Sequence, residues 1–335
     1  MKKRLAFIVG IICLFLCYSA QSSHGEAYPL GVIMTNNAKE KSVMVFLDEN
    51  LTPLSEVVYN AANVTSGKGI TSDSKAYMAA NGNWDLLDRG IVVSIDMIDG
   101  AVKEFNLNRV NITDLQADHE WIYANSNLNW EFFFDRININ TGEIQSAKIS
   151  DLLIYSFTAF DDVIYAVAEE ASDQSMALYS YSFVTDEWDK LCTMLDSECI
   201  GYTDIECVGE KIYVIIDDVL YIYSISDHIL RDHEIGNSPA SKLCIVSNDV
   251  YIVISDPAAG SDESIVEKYI CENDRMETIG TYNGTILQIQ FAGENVFIMD
   301  YEVLIKAHIY DGEFVTDSTY FFSTDYDYCG GLFIK

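Results

Sequence analysis

The sequence predicts an all-β chain. Three observations carry that expectation: an apolar motif repeated seven times, polar turns at matching offsets, and no helical periodicity along the main body of the chain. The motif reads Gly31-Val32-Ile33-Met34, Ala76-Tyr77-Met78-Ala79, Ile122-Tyr123-Ala124, Ile164-Tyr165-Ala166-Val167, Ile212-Tyr213-Val214-Ile215, Val250-Tyr251-Ile252-Val253 and Val296-Phe297-Ile298-Met299. Taking Ile33, Tyr77, Tyr123, Tyr165, Tyr213, Tyr251 and Phe297 as anchors, the steps are 44, 46, 42, 48, 38 and 46 residues.

Each repeat follows one plan. A strand such as Ile112–Ala117, Tyr202–Val208, Lys242–Ser247 or Ile286–Ala292 comes first. A short polar turn such as Gly209-Glu210-Lys211 or Gly293-Glu294-Asn295 leads into the anchor strand. That strand is apolar on consecutive positions, as in Ile212–Ile216, which predicts burial on both faces. A third strand then reaches a hairpin turn of Asp, Asn, Gly or Ser, as at Asp99-Gly100, Asn140-Thr141-Gly142, Thr185-Asp186-Glu187, Ser226-Asp227, Glu272-Asn273-Asp274 and Asp311-Gly312. Asn, Asp and Gly tolerate positive φ or form Asx turns. A fourth strand, as in Ala101–Phe105 or Glu143–Ile149, completes the repeat.

A period of this size built from four strands is the mark of propeller blades. The expected fold is a single seven-bladed β-propeller of four-stranded antiparallel blades over residues 28–335. Only Tyr28-Pro29-Leu30 precedes the first anchor strand, so the first blade lacks its innermost strand. Cys329-Gly330-Gly331-Leu332-Phe333-Ile334 is expected to supply it and close the ring, removing exposed sheet edges. In period and pattern the chain resembles the β-propeller superfamily, specifically exported bacterial propellers with degenerate WD40-like or PQQ-like repeats. It has no GH…WD signature, kelch double glycine or sialidase Asp box, and Thr141-Gly142-Glu143 is a single PQQ-like turn with no tryptophan after it. The resemblance implies a fold and a binding face.

Residues 1–25 read as a secretory signal peptide. Lys2-Lys3-Arg4 is a basic start, Leu5 to Leu16 an apolar core, and small residues follow at Ser19, Ala20, Gly25 and Ala27. Leu14-Phe15-Leu16 before Cys17 departs from the small residues that lipidation needs; an uncleaved N-terminal anchor is the alternative. No later run is long and apolar enough for a helical span. The expected location is secreted or cell-surface. With 52 Asp+Glu against 20 Lys+Arg, a formal charge of −32, the surface repels nucleic acid and anionic membranes and attracts cations or a basic partner.

Two of the 8 cysteines lie in the signal. Of the others, Cys192 and Cys199 flank a short loop and form the candidate disulfide. Cys207 and Cys244 lie six and seven residues before their anchors, so they should face opposite sides of their strands, and buried free thiols are expected there. There is no CxxC pair for zinc, and the acidic turns match no calcium loop, so no metal or other cofactor is expected.

The segments between anchor and hairpin vary most. They run 22 residues in repeats 2 and 6 and 21 in repeat 4, but 14 in repeats 5 and 7. The extra length lies in Asn81–Gly90, Glu169–Met176 and Ser255–Ser264. Variable loops on a rigid scaffold are where function concentrates. Trp84 and Asp85, with Arg89, belong to one such segment, and Asn127 and Trp130 to the equivalent place in the next repeat. Indole faces beside amides and a carboxylate suit sugar rings or peptide backbones, so these five residues are the candidate ligand-binding rim. No HExxH, GxSxG elbow or arginine cluster assigns catalysis. The expected function is therefore a non-catalytic module binding a protein or glycan at the cell surface. A propeller hydrolase or lyase acting on a carbohydrate or lactone is the alternative. A cluster of His, Arg and acids in the central funnel would favour the enzyme, and an aromatic rim without one would favour the binder.

Overall fold

In the computed structural model, residues 27–335 are described except 73, 83–88, 129–130, 171, 173, 196–201, 236–239 and 256–262, and every regular element among the described residues is a strand. The first sheet takes β1 (Leu30–Asn36), β2 (Lys41–Leu47) and β3 (Pro53–Tyr59) from the start of the chain. The second holds β4 (Val64–Ser72), β5 (Lys75–Ala80), β6 (Ile91–Asp96) and β7 (Val102–Asn106). The third holds β8 (Val110–Ala117), β9 (Trp121–Leu128), β10 (Glu131–Asn138) and β11 (Ile144–Ile149). The fourth holds β12 (Leu152–Phe160), β13 (Val163–Glu170), β14 (Met176–Ser182) and β15 (Glu187–Leu195). The fifth holds β16 (Thr203–Val208), β17 (Lys211–Ile216), β18 (Val219–Ser224) and β19 (Ile229–Glu234).

The next eight strands form one sheet in two antiparallel halves. These are β20 (Ala240–Val246), β21 (Asp249–Ser255), β22 (Glu263–Ile270) and β23 (Arg275–Asn283), then β24 (Gln288–Ala292), β25 (Asn295–Met299), β26 (Val303–Tyr310) and β27 (Glu313–Phe321). The halves meet at one parallel bridge, Thr281 opposite Glu313, where the Thr281 amide donates to the Gly312 carbonyl at 3.2 Å. Strand β28 (Tyr328–Ile334) returns to the first sheet and runs antiparallel to β1, with Leu30 opposite Ile334 and Thr35 opposite Tyr328.

The anchor strands are buried because both their faces meet another sheet. Ile212 to Ile216 in β17 and Ala76 to Ala80 in β5 are buried at every position. Apolar clusters lie between successive sheets. Met44 and Phe46 pack with Met78 and Val93, Tyr77 and Val92 with Ile122 and Ile137, and Phe134 with Phe157 and Tyr179. Leu178 packs with Val214, Ile215 with Val250 and Ile252, Val253 with Ile298, and Phe297 with Val45 and Leu332. Each such side chain removed from water contributes about 1.5–3 kcal/mol. The outer strands β3, β7, β11, β15 and β19 are correspondingly more exposed.

The turns follow from their residues. Gly100, Gly142 and Gly312 stand at φ +76°, +74° and +78°, and Asp186, Asp274 and Asp311 at 57°, 52° and 53°. In the turn expected at Ser226-Asp227, His228 takes the positive φ, at 55°, and its Nδ1 hydrogen-bonds the Tyr223 hydroxyl at 2.8 Å. Cys207 faces the cluster between the fourth and fifth sheets and Cys244 the cluster shared by the two halves of the large sheet, so the two do face opposite ways.

Candidate functional site

The innermost strands β28, β4, β8, β12, β16, β20 and β24 each contact the next, and β24 contacts β28. Side chains on these strands carry hydrogen bonds from one sheet to its neighbour. Gln116 Nε2 of β8 donates to the Phe157 carbonyl of β12 at 3.4 Å. Asp204 of β16 accepts the Leu243 amide of β20 at 2.8 Å as well as its neighbour Ile205 at 2.9 Å. Gln288 of β24 pairs with Leu332 of β28 in both directions: its Nε2 donates to the carbonyl and its Oε1 accepts the amide, each at 2.8 Å.

Between these strands lie two cavities. One, about 330 Å³, opens beside the starts of β8, β12, β16, β20 and β24. The other, about 410 Å³, follows β20 and β24 further along, with Glu206 and Gln290 in its wall. Lys242 lines both.

Bulges shape the mouth of the first cavity. In β12 the ladder steps from Ile154 opposite Ala168 to Ser156 opposite Val167, so Tyr155 is the extra residue. In β8, Asn111 and Thr113 are extra in the same way, and the register of β20 shifts just before Lys242. An extra residue breaks the in–out alternation and re-aims side chains, here at the rim of the cavity. Tyr155 lines it and donates its hydroxyl to Glu169 Oε2 at 2.7 Å. Tyr202, just before β16, and Tyr301, in the loop between β25 and β26, line it from other sheets. Asp114 and Asp204 add carboxylates. Asp114 accepts the Leu115 amide at 2.8 Å and the Ser156 hydroxyl at 3.5 Å. Among the described residues, the lining of neither cavity includes a histidine or an arginine.

Several ionisable groups elsewhere hold the sheets together. Arg136 stacks between Trp121 and Phe183, 4.4 and 4.5 Å from the ring centroids, and donates its Nε to Gln145. Arg109 lies over Phe133 and beside the buried Asp135, which also takes the Ser126 and Ser146 hydroxyls. His308 of β26 pairs with Asp317 of β27 at 3.0 Å. Among the described residues, no group of three His, Cys, Asp or Glu side chains could hold a metal ion.

Of the five residues expected to form a rim, Trp84, Asp85 and Trp130 lie outside the described residues, as does Cys199. Arg89 and Asn127 are brought to the same end of β8: the Arg89 carbonyl accepts the Asn111 amide at 3.2 Å, and Asn127 stands opposite Val110. Neither lines the central cavity. Arg89 is exposed, and its charge acts on the Tyr59 phenol of the first sheet. Cys192 is a free, half-buried thiol pushed up to about 11 by burial. The tyrosines of the mouth were missed by sequence reasoning. The available signal was positional and covers Tyr202 alone, which stands just before an innermost strand, whereas Tyr155 lies inside β12.

No family model and no curated protein matches the sequence. Solved structures do match. A "putative 6-phosphogluconolactonase" of Bacteroides uniformis aligns at a TM-score of 0.63 and 10% identity, over 90% of this chain and 98% of that one. A Lactobacillus plantarum protein aligns at 0.64 and 9% identity, over 91% and 99%. BamB of Moraxella catarrhalis aligns at 0.51 and 12% identity, over 89% and 88%. At such identities the likeness is one of fold, and with the repeated antiparallel sheets it makes this chain a β-propeller.

Proposed function

We propose that the chain is an exported, seven-bladed propeller closed by β28, acting as a non-catalytic binding module at the cell surface through the mouth of its central cavity. The round of contacts among the innermost strands supports the closed ring, with the eight-stranded sheet counted as two blades. The basic and apolar pattern of residues 1–25 supports export.

One observation carries the binding role. The cavity mouth has a tyrosine rim and no lining histidine or arginine among the described residues, while Asp204 accepts the Leu243 amide of the next sheet and Asp114 the amide of its neighbour Leu115. A general acid or base must reach a substrate proton, and a carboxylate engaged by backbone amides is poorly placed to do so. Tyrosine rings offer apolar faces with a polar tip, the usual chemistry of a recognition surface.

The test pairs a ligand screen with an activity assay on residues 28–335. Glycan and peptide arrays should yield a ligand whose binding is lost in the Tyr155→Ala/Tyr301→Ala variant. Sugar lactones, including 6-phosphogluconolactone, should be hydrolysed no faster than in buffer. Lactone turnover abolished by Asp114→Asn would overturn the proposal in favour of an enzyme.

A further inference from the structure

We infer that the tyrosine-rimmed mouth takes a lysine or arginine side chain presented by a basic segment of a partner protein. This rests on the binding role proposed above and names the class of its ligand. Three independent features converge on it.

The first is geometric. Tyr155, Tyr202 and Tyr301 come from three separate blades, are 36%, 44% and 58% exposed, and meet at one cavity of about 330 Å³. A cavity of this size lined by three tyrosines has room for an inserted side chain. The negative face of a tyrosine ring attracts an ammonium or guanidinium within about 6 Å of its centroid. This chain already stacks arginines that way, Arg136 against Trp121 and Phe183 and Arg109 against Phe133.

The second is local charge. Asp114, Asp204 and Lys242 share the cavity lining, and Glu169 accepts the Tyr155 hydroxyl, so among the described residues the mouth carries more negative than positive groups. A phosphate or uronate would meet like charge there, and a neutral sugar would make no use of it. The third is the long-range field. At a formal charge of −32 the molecule draws cations towards itself and accelerates their encounter.

The experiment titrates residues 28–335 with a fluorescent Arg-Gly repeat peptide in about 0.15 M salt, where screening limits non-specific attraction. An acetylated Lys-Gly peptide, its unmodified form and a Glu-Gly peptide run beside it. The informative variant is Tyr155→Ala/Tyr301→Ala, which leaves the net charge unchanged. Saturable binding of the Arg and Lys peptides should weaken roughly tenfold or more in that variant. It should be lost on acetylation and be unaffected by Asp99→Asn/Asp311→Asn in the hairpins at the far ends of the blades. Equal binding by wild type and the tyrosine variant would reduce the effect to bulk charge and overturn the inference, as would the absence of saturable binding. If a neutral glycan binds instead and is lost in the tyrosine variant, the inference falls while the binding role stands. Lactone turnover would remove both.

Discussion

At the scale of single residues, the polar side chains of the innermost strands are tethers between blades. Gln288 shows the logic best: fully buried, it satisfies both the amide and the carbonyl of Leu332 on β28. Asn81 does the same for Ile112, accepting its amide at 2.7 Å and donating to its carbonyl at 3.0 Å. A buried backbone group without a partner costs about 1–3 kcal/mol. Gln288→Ala strands the Leu332 amide, while the carbonyl keeps Gln290 Nε2 at 3.4 Å, so the variant should lose about 1–3 kcal/mol, read as a lower urea midpoint with an unchanged slope. A midpoint equal to wild type would mean that water replaces the amide at no cost. These tethers were not legible in the sequence. Gln and Asn pairing depends on which strands become neighbours, and nothing local to Gln288 announces Leu332.

At the scale of elements, the strands and turns were legible and the bulges were not. The anchor strands carry their burial in unbroken apolar runs, and Asp-Gly or Asn-Thr-Gly turns carry their own backbone preference. Gly100 shows how strictly: at φ +76° an added Cβ would also stand 2.6 Å from Val57 Cγ2 of the first sheet. Gly100→Ala should therefore cost about 1–3 kcal/mol, combining left-handed strain with a contact that must shift. Thermal unfolding followed by circular dichroism would measure it, and an unchanged melting temperature would place the turn elsewhere. Tyr155, by contrast, sits in the run Leu152–Phe160, whose composition gives no sign of the register shift at that point. A bulge is set by how a strand must twist against its partner, so the residue it re-aims escapes periodicity.

At the scale of the whole molecule, the repeat period foretold a propeller while the cavity mouth was not legible, because it is assembled from residues far apart in sequence, Thr113 to Tyr301. Burial also sets an alkaline limit. The Tyr328 phenol and the Cys329 thiol, both on β28, are each pushed up to about 12 from ordinary values of 10.0 and 9.0, first by burial. Because their folded values lie above the unfolded ones, the folded state holds these protons more tightly. Their contribution to stability is complete below about pH 9 and is lost as pH rises towards 12. The β-sheet circular-dichroism signal should therefore hold to about pH 9 and fall as pH rises towards 12. A β-sheet signal and melting temperature unchanged up to about pH 12 would contradict this.

All these proposals depend on β28 completing the first sheet. The most direct measurement is thermal unfolding of residues 28–335 beside a chain ending at residue 325. The account predicts one cooperative transition for the longer chain, and for the shorter one aggregation or a melting temperature lower by roughly 10 °C or more. A soluble truncated chain that melts where the longer one does would show that the ring does not need β28, and the closed propeller with its central mouth would have to be given up.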